Sequence, residues 1–467
     1  MISFFRLNDP LRLLTVLFLL FLFRLPVFIS GFELLNSEFS WMIIGEKLNE
    51  GFVMYKDIQS NFGYLSAFTY KIIDGLFGRS QLAYQLIATI LIAFQAITLN
   101  LYFSTSEVMR EKGYIPAFFY ILFSFAFIDF YTLSPVLMSL TFLIPALGSL
   151  LFIMKNGTTE TLVLKVGIYT GLASLFYLPS ITLLFTFFLI FLLFTKADLK
   201  NYILLFISYL FPIMLFGMYF YWIGFFDKYF YDIFYYSMGL NKVQFMSLTE
   251  VLIALSPMIV LTGFAIIKVL TSNGFVNFQL RCHAVMSLWF IASGISLLLS
   301  SHFSAYNIML ALPGSVYFIT NFYFLTKKKL FQILYFYIFP VLILFFSYMG
   351  VLYDFSGQLN EARMFIGESP IENSGKKVLV LGDNLSHYKG NKVATSLVNW
   401  HLDKKIFTDF SLYKNIISFN ERIEKDKPNI IVDQYNNMPK IINRIPSLNQ
   451  EYSIGKDGFY YLKEELL

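Results

Sequence analysis

Long apolar runs separated by short polar loops make up most of this chain. A helix needs about 20 mainly apolar residues to cross a bilayer. Eleven stretches carry that pattern: roughly 11–31, 81–103, 114–131, 133–154, 161–178, 180–195, 201–222, 249–270, 284–301, 305–325 and 330–352. Pro135, Pro145, Pro179 and Pro212 shorten several of them. Tyr177-Leu178-Pro179-Ser180 reads as a tight turn at the membrane edge between two spans. Two segments break the rhythm. One is the long polar loop 32–80, and the other is everything beyond residue 354.

Each of these segments has a pattern of its own. In the first loop, Phe39, Met42, Ile43 and Glu46 recur at helical spacing, which predicts an amphipathic helix from Glu38 to Lys47. Residues 64–77 form a second such helix ending at Gly78. Between them, Gly51 to Ile58 reads as a turn and an extended piece. Both helices are expected to lie on the bilayer, with Trp41 suited to the interface. The aromatic 223–248 loop reads as another interfacial helix. At the other end, 355–374 is a polar linker and 375–467 a small α/β domain. Its expected elements are strand 377–381, helix 391–402, a charged helix 417–427 stopped by Pro428, strand 429–433 and a hairpin over 452–462.

Composition sets the class. Charged residues are 14% of the chain, apolar residues 57%, and mean hydropathy is +0.63. A soluble domain carries about 25% charged residues. The fold class is therefore mainly α: a polytopic membrane bundle of about eleven spans (1–354), with a large first outer loop and a small C-terminal α/β domain. The lone Cys282 excludes an internal disulfide and a cysteine-based zinc site.

The net charge of +5 is not a nucleic-acid signal, because residues 354–467 hold 15 basic and 15 acidic residues. The excess lies in the loops of the bundle. Lys and Arg collect in alternate loops, including Arg110 and Lys112, Lys196 and Lys200, and Lys327 to Lys329. The positive-inside rule then puts the N-terminus in the cytoplasm. The first loop and the C-terminal domain lie on the extracytoplasmic side, as expected in a bacterial plasma membrane. The first apolar run is too long for a signal peptide and reads as a retained anchor.

Carboxylates on a loop against the bilayer suggest chemistry at the level of lipid phosphates. The order Ser37-Glu38, Trp41, Gly51, Tyr55-Lys56-Asp57 and Leu76-Phe77-Gly78 resembles the first outer loop of the GT-C glycosyltransferases. These are the membrane enzymes related to protein O-mannosyltransferases and aminoarabinose transferases. Tyr306 to Pro313 resembles a late-span segment of that family, and VLVLGDNLSHY with KPNIIVD resembles its terminal domain.

The resemblance implies transfer of a sugar from a polyprenyl-phosphate donor to a lipid, glycan or protein acceptor. It places Glu38 as the base and Asp57 as its assistant. Arg24, Tyr55, Lys56, Lys71, Arg79, His302 and Tyr306 become substrate contacts. It names no certain cofactor and leaves room for a divalent cation. Ser37 stands where the family has its first acidic residue, and Asn61-Phe62-Gly63 replaces a Lys-Pro-Pro stretch. Two alternatives stay open: a catalytically inactive scaffold of the same architecture and, more weakly, a transporter of lipid-linked material. The bland reading of Glu38 is a helix-capping acid beside Ser37, that of Asp57 a turn residue, and that of Asp129 a helix-end group. Gly382-Asp383-Asn384 lacks the companion glycines of a nucleotide site.

Overall fold

The computed structural model describes residues 10–31, 33–239, 243–244, 247–326, 337–347, 364–371 and 375–463. Six described helices are long and apolar enough to cross a membrane: Leu11–Ile29, Gln81–Thr105, Pro135–Asn156, Leu199–Trp222, Asn277–Leu299 and Ala305–Leu325. Leu248–Ala254 and Ser256–Leu270, bent by 74°, make a seventh if taken as one span.

Other expected spans fall on shorter helices, namely Ile115–Phe123, Glu160–Phe176 and Ile181–Phe194. The first of these ends at Phe123, where the Ser124 hydroxyl donates to the Ile121 carbonyl at 2.6 Å. The chain then makes a 3-10 turn at Ile128–Tyr131. The expected turn before the Ile181 helix is present as a 3-10 turn at Leu178–Ser180. The span expected at 330–352, the Lys327–Lys329 loop and the linker 355–374 lie partly or wholly outside the described residues.

Close helix packing in the bundle follows from small residues. Gly167 and Gly171 form a G-x-x-x-G stripe on the Glu160–Phe176 helix. A Cβ at these positions would lie 1.8 Å from Ser208 Oγ and 2.3 Å from the Tyr209 carbonyl oxygen. Only glycine allows the Leu199–Trp222 helix to come that near. Two short parallel strands, β1 (Val243–Gln244) and β2 (His302–Phe303), tie distant loops together at one end of the bundle.

The first loop forms its two helices where the periodicity places them. We label the helix Asn36–Asn49 α1 and the helix Tyr64–Phe77 α2. The second has the expected interfacial shape, exposing Phe68, Ile72, Leu76 and Phe77 while burying Ala67, Tyr70 and Ile73. Helix α1 differs from expectation. Ten of its fourteen residues are buried, Trp41 among them, so it is an interior helix and does not lie on a bilayer. Gly45 lets it press against α2, since a Cβ there would sit 2.6 Å from the Tyr70 carbonyl oxygen.

What covers α1 is in part the C-terminal domain. That domain is a five-stranded sheet in the order β4-β3-β5-β7-β6. Its strands are β3 (Lys377–Leu381), β4 (Lys392–Val393), β5 (Ile430–Asp433), β6 (Tyr452–Ile454) and β7 (Tyr460–Leu462). Strands β4, β3 and β5 run parallel, and the terminal hairpin is antiparallel. The helix expected at 391–402 is absent. Pairing with β3 takes its first residues, with Ala394 N donating to the Val378 carbonyl at 2.7 Å, and the helix begins at Trp400. The charged helix forms at Tyr413–Lys425.

Side chains alternate across a strand, and β3 buries both faces. Leu379 and Leu381 enter the domain's own core with Trp400, Phe407 and Phe419. Val378 and Val380 join the continuous core of the bundle. The domain is therefore packed onto the first loop.

Charged groups complete this seam. Lys47 of α1, with no exposed side-chain surface, reaches Asp426 at 3.0 Å and Glu50 at 2.5 Å. Asp426 also accepts from Lys377 at 2.6 Å and from Thr395 N at 3.0 Å. Arg79 pairs with Glu46 and donates to the Tyr388 and Asn391 carbonyls, both at 2.9 Å. Burial alone would raise the Asp426 carboxyl, but Lys377 and Lys47 outweigh it and hold it below the ordinary range. Its contribution is fully present above the ordinary value near 4 and is lost as pH falls through the depressed folded value. Asp426→Asn leaves Lys47 poorly compensated and is expected to cost about 2–4 kcal/mol at pH 7. Thermal melts of the purified protein at pH 7, with limited proteolysis between 376 and 463, check this. An unchanged midpoint and unchanged cleavage would show that the pair does not hold the seam.

Candidate functional site

Glu38 sits in the first turn of α1, yet it does not cap that helix. Leu35 is the N-cap residue and makes no side-chain cap hydrogen bond. The Glu38 carboxylate instead turns into the protein. Thr132 Oγ1 donates to Oε1 at 2.5 Å and Gln81 Nε2 donates to Oε2 at 3.3 Å. The helix-cap reading is thereby replaced by a carboxylate gripped from two other elements, the turn before Pro135 and the start of the Gln81–Thr105 helix.

Aromatic rings wall this carboxylate in. Trp41 stacks on Tyr70 at 5.6 Å, Tyr70 stacks on Tyr84 at 5.6 Å, and Tyr306 meets Trp41 edge-on at 5.5 Å. The Tyr70 hydroxyl donates to the Leu133 carbonyl at 2.8 Å. Glu38 is fully buried. Burial pushes its carboxyl up to about 7, against the hydrogen bonds from Thr132 and Gln81, and the charge of Asp129 adds to the rise.

Asp129, expected as a helix-end group, is the acidic residue whose charge acts on Glu38. It lies in the Ile128–Tyr131 turn, is 5% exposed, and accepts from Tyr306 N at 3.2 Å. A signal was present: it is the only charged residue between Lys112 and Lys155. Its turn is held in place by Arg24. That guanidinium, expected as a phosphate ligand, donates to the Phe130 and Tyr131 carbonyls, the Gln85 carbonyl and Thr89 Oγ1 at 2.8–3.2 Å. In this structure Arg24 positions the turn that carries Asp129.

The remaining expected residues divide. Tyr306 belongs to the Glu38 site through its ring and its backbone. His302 stands on β2, with its Nδ1 2.6 Å from Asn61 Nδ2. Burial, then the charge of His401, pushes it down to about 3, so it is neutral. Asp57 is held elsewhere and shares no partner with Glu38. It accepts from Val53 N at 2.9 Å, Lys425 approaches its Oδ1 at 3.5 Å, and Arg422 donates to its carbonyl at 2.7 Å. Asp57 and Glu38 are thus held by different partners, and the acidic charge that acts on Glu38 is that of Asp129.

Tyr55 adopts a positive φ of 66° between the two loop helices and packs its ring on Phe220 and Tyr229. Lys56 lies over the Phe225 ring at 4.7 Å. Arg79 is taken up at the domain seam. Among the described residues, Lys71 alone of these cations has no ion pair, hydrogen bond or ring contact from its side chain. The described residues hold no group of three or more His, Cys, Asp or Glu side chains arranged for a metal ion.

No protein-family model matches the sequence, and no curated protein matches it. Solved structures do. The oligosaccharyltransferase of Archaeoglobus fulgidus, tethered to an acceptor peptide, superposes with a TM-score of 0.50 at 12% identity, covering 96% of this chain and 74% of that one. AglB from the same organism, in complex with an inhibitory peptide and a dolichol-phosphate, gives 0.48 at 12% identity over 96% and 74%. ArnT from Cupriavidus metallidurans, bound to undecaprenyl phosphate, gives 0.49 at 11% identity. That match covers 68% of this chain and only 60% of ArnT. At these identities the likeness is one of fold alone.

The raised Glu38 carboxyl has a measurable consequence. Between its ordinary value near 4.3 and about 7 the folded chain binds a proton here that the unfolded chain does not. Stability therefore falls as pH rises through that window and then levels off. Glu38→Gln is expected to flatten the fall and to raise the melting midpoint at pH 8 relative to wild type. Equal pH slopes for the two proteins would contradict the buried-carboxyl assignment.

Proposed function

We propose that this chain transfers a sugar from a polyprenyl-phosphate donor to a lipid, glycan or protein acceptor. The reaction takes place on the membrane face that carries the first loop and the C-terminal domain. The Lys and Arg of the alternate loops support reading that face as the extracytoplasmic side of a bacterial plasma membrane, with the N-terminus in the cytoplasm. The observation that carries the reading is Glu38, a carboxyl poised near neutrality within a fold like that of an oligosaccharyltransferase. A general base works best when its pKa lies near the working pH.

In this reading Glu38 takes the proton of the acceptor hydroxyl as that oxygen attacks the anomeric carbon. The bond from that carbon to the phosphate oxygen breaks, and its electron pair leaves with the lipid phosphate. Configuration inverts in a single displacement. Lys71, beside the apolar face of α2, is the cation left to meet the departing phosphate. Burial, with the charge of Asp129 adding to it, keeps the Glu38 proton affinity high, and Thr132 orients its carboxylate. Because Glu38 is enclosed, the acceptor reaches it only after the groups that cover it move aside.

That enclosure also favours a second reading, a catalytically inactive scaffold with the same architecture. Ser37 cannot supply the missing acid, since a neutral hydroxyl accepts no proton at pH 7.

Membranes incubated with labelled polyprenyl-phosphate sugars separate the two. Wild type is expected to transfer label, Glu38→Gln to lower transfer by about 100-fold or more, and Asp57→Asn to leave it nearly unchanged. Undiminished transfer by Glu38→Gln would remove this residue from the mechanism. Absence of transfer by wild type with every donor would favour the scaffold.

A further inference from the structure

A cavity of about 310 Å³ opens between the end of the Gln81–Thr105 helix, the turn 107–112 and the start of the Asn277–Leu299 helix. Gln81 touches Glu38 at the other end of its helix, so this cavity lies at the opposite end of the bundle from the transfer site. The transfer reading uses none of its residues. In liquid water such a volume holds about ten molecules, which is room for a small polar headgroup.

The lining carries charges of both signs. Arg110 and Lys112 are the positive ones, Glu107 and Glu111 the negative. Arg110 is held in place: its Nη2 donates to the Gly274 carbonyl at 2.8 Å, and its guanidinium lies over the Phe275 ring at 4.1 Å. Its Nε and Nη1 make no hydrogen bond among the described residues. Glu107 follows the helix end in a left-handed conformation, φ 55°, where glycine is the favoured residue. That strain puts its carboxylate 3.1 Å from Lys155 and 3.9 Å from Lys112.

Gln279 adds an uncharged donor. It lines the cavity and is 8% exposed. Its Oε1 accepts from Val276 N at 3.4 Å, while its Nε2 makes no hydrogen bond among the described residues. Val276, as N-cap, offers no side-chain acceptor to the first N–H groups of the helix.

A simple anion here would meet two glutamates. A simple cation would meet Arg110, Lys112 and the positive end of a helix dipole. A zwitterion answers both. Its anionic end suits the guanidinium, the lysine, the Gln279 amide and the uncapped helix start, and its ammonium suits the carboxylates. The setting supplies such a group. Both helices are long and apolar enough to cross a membrane. Leu101, Val276 and Leu280 are exposed on the cavity walls or within a turn of them, so the cavity lies where the headgroups of a bilayer stand.

We propose that this cavity binds the phosphoethanolamine headgroup of a zwitterionic phospholipid, with Arg110 and Lys112 on the phosphate and Glu107 and Glu111 on the ammonium. The site stands whether or not Glu38 is a base.

The test uses the full chain purified in detergent. It is titrated with phosphatidylethanolamine, phosphatidylcholine and phosphatidylglycerol of identical acyl chains, and bound lipid is counted by native mass spectrometry. Wild type is expected to hold phosphatidylethanolamine about tenfold more tightly than either other lipid, since a quaternary ammonium has no N–H to donate and a glycerol headgroup has no cation. Lys112→Gln and Glu111→Gln, both exposed, are each expected to weaken it by about fivefold with an unchanged thermal midpoint. Lys200→Gln, outside the cavity, is expected to keep the wild-type preference. Equal binding of the three lipids by wild type would overturn the proposal, and that result does not depend on any variant folding. A preference undiminished in both Lys112→Gln and Glu111→Gln would also overturn it. So would displacement of the lipid by an equal concentration of soluble phosphoethanolamine, which would mark a site for the free compound.

Discussion

A charge taken out of water must be met by another charge or by several hydrogen bonds. The first loop carries more buried charge than any solvated loop would, and its architecture answers that demand. Lys47 is reached by Asp426 from the C-terminal domain. Arg24, inside the bundle, finds the carbonyls of the turn that carries Asp129. Glu38 is held by hydroxyl and amide groups from two different elements. Each solution fixes one element against another. The bundle, the loop and the sheet therefore form one packed body around residues 36–79.

That arrangement explains which parts of the molecule were legible in the sequence. Helical periodicity located α1 and α2 because their apolar spacing is local information. The run Val378-Leu379-Val380-Leu381 located a strand buried on both faces for the same reason. Periodicity could not say that α1 is interior, because its cover arrives from some 380 residues away. It also could not bring Thr132 and Gln81 to the Glu38 carboxylate, since only the fold joins them. Asp57 is engaged locally. A Tyr-Lys-Asp order reads equally as a site or as a turn, and its carboxylate accepts the Val53 backbone N–H while its carbonyl anchors Arg422. The helix expected at 391–402 failed where a two-residue strand claimed its backbone.

The ion pair between Lys47 and Asp426 joins residues 379 positions apart. At ribosomal speeds of about 5–20 residues per second, those partners are made roughly 20–75 s apart. For that interval α1 exists without its principal counter-ion and without the sheet that covers it. Glu50, three residues from Lys47 and 2.5 Å from its amine, gives the lysine a local partner in the meantime. The early loop thus carries a provisional partner in its own sequence, and the later-made sheet converts it to the buried form.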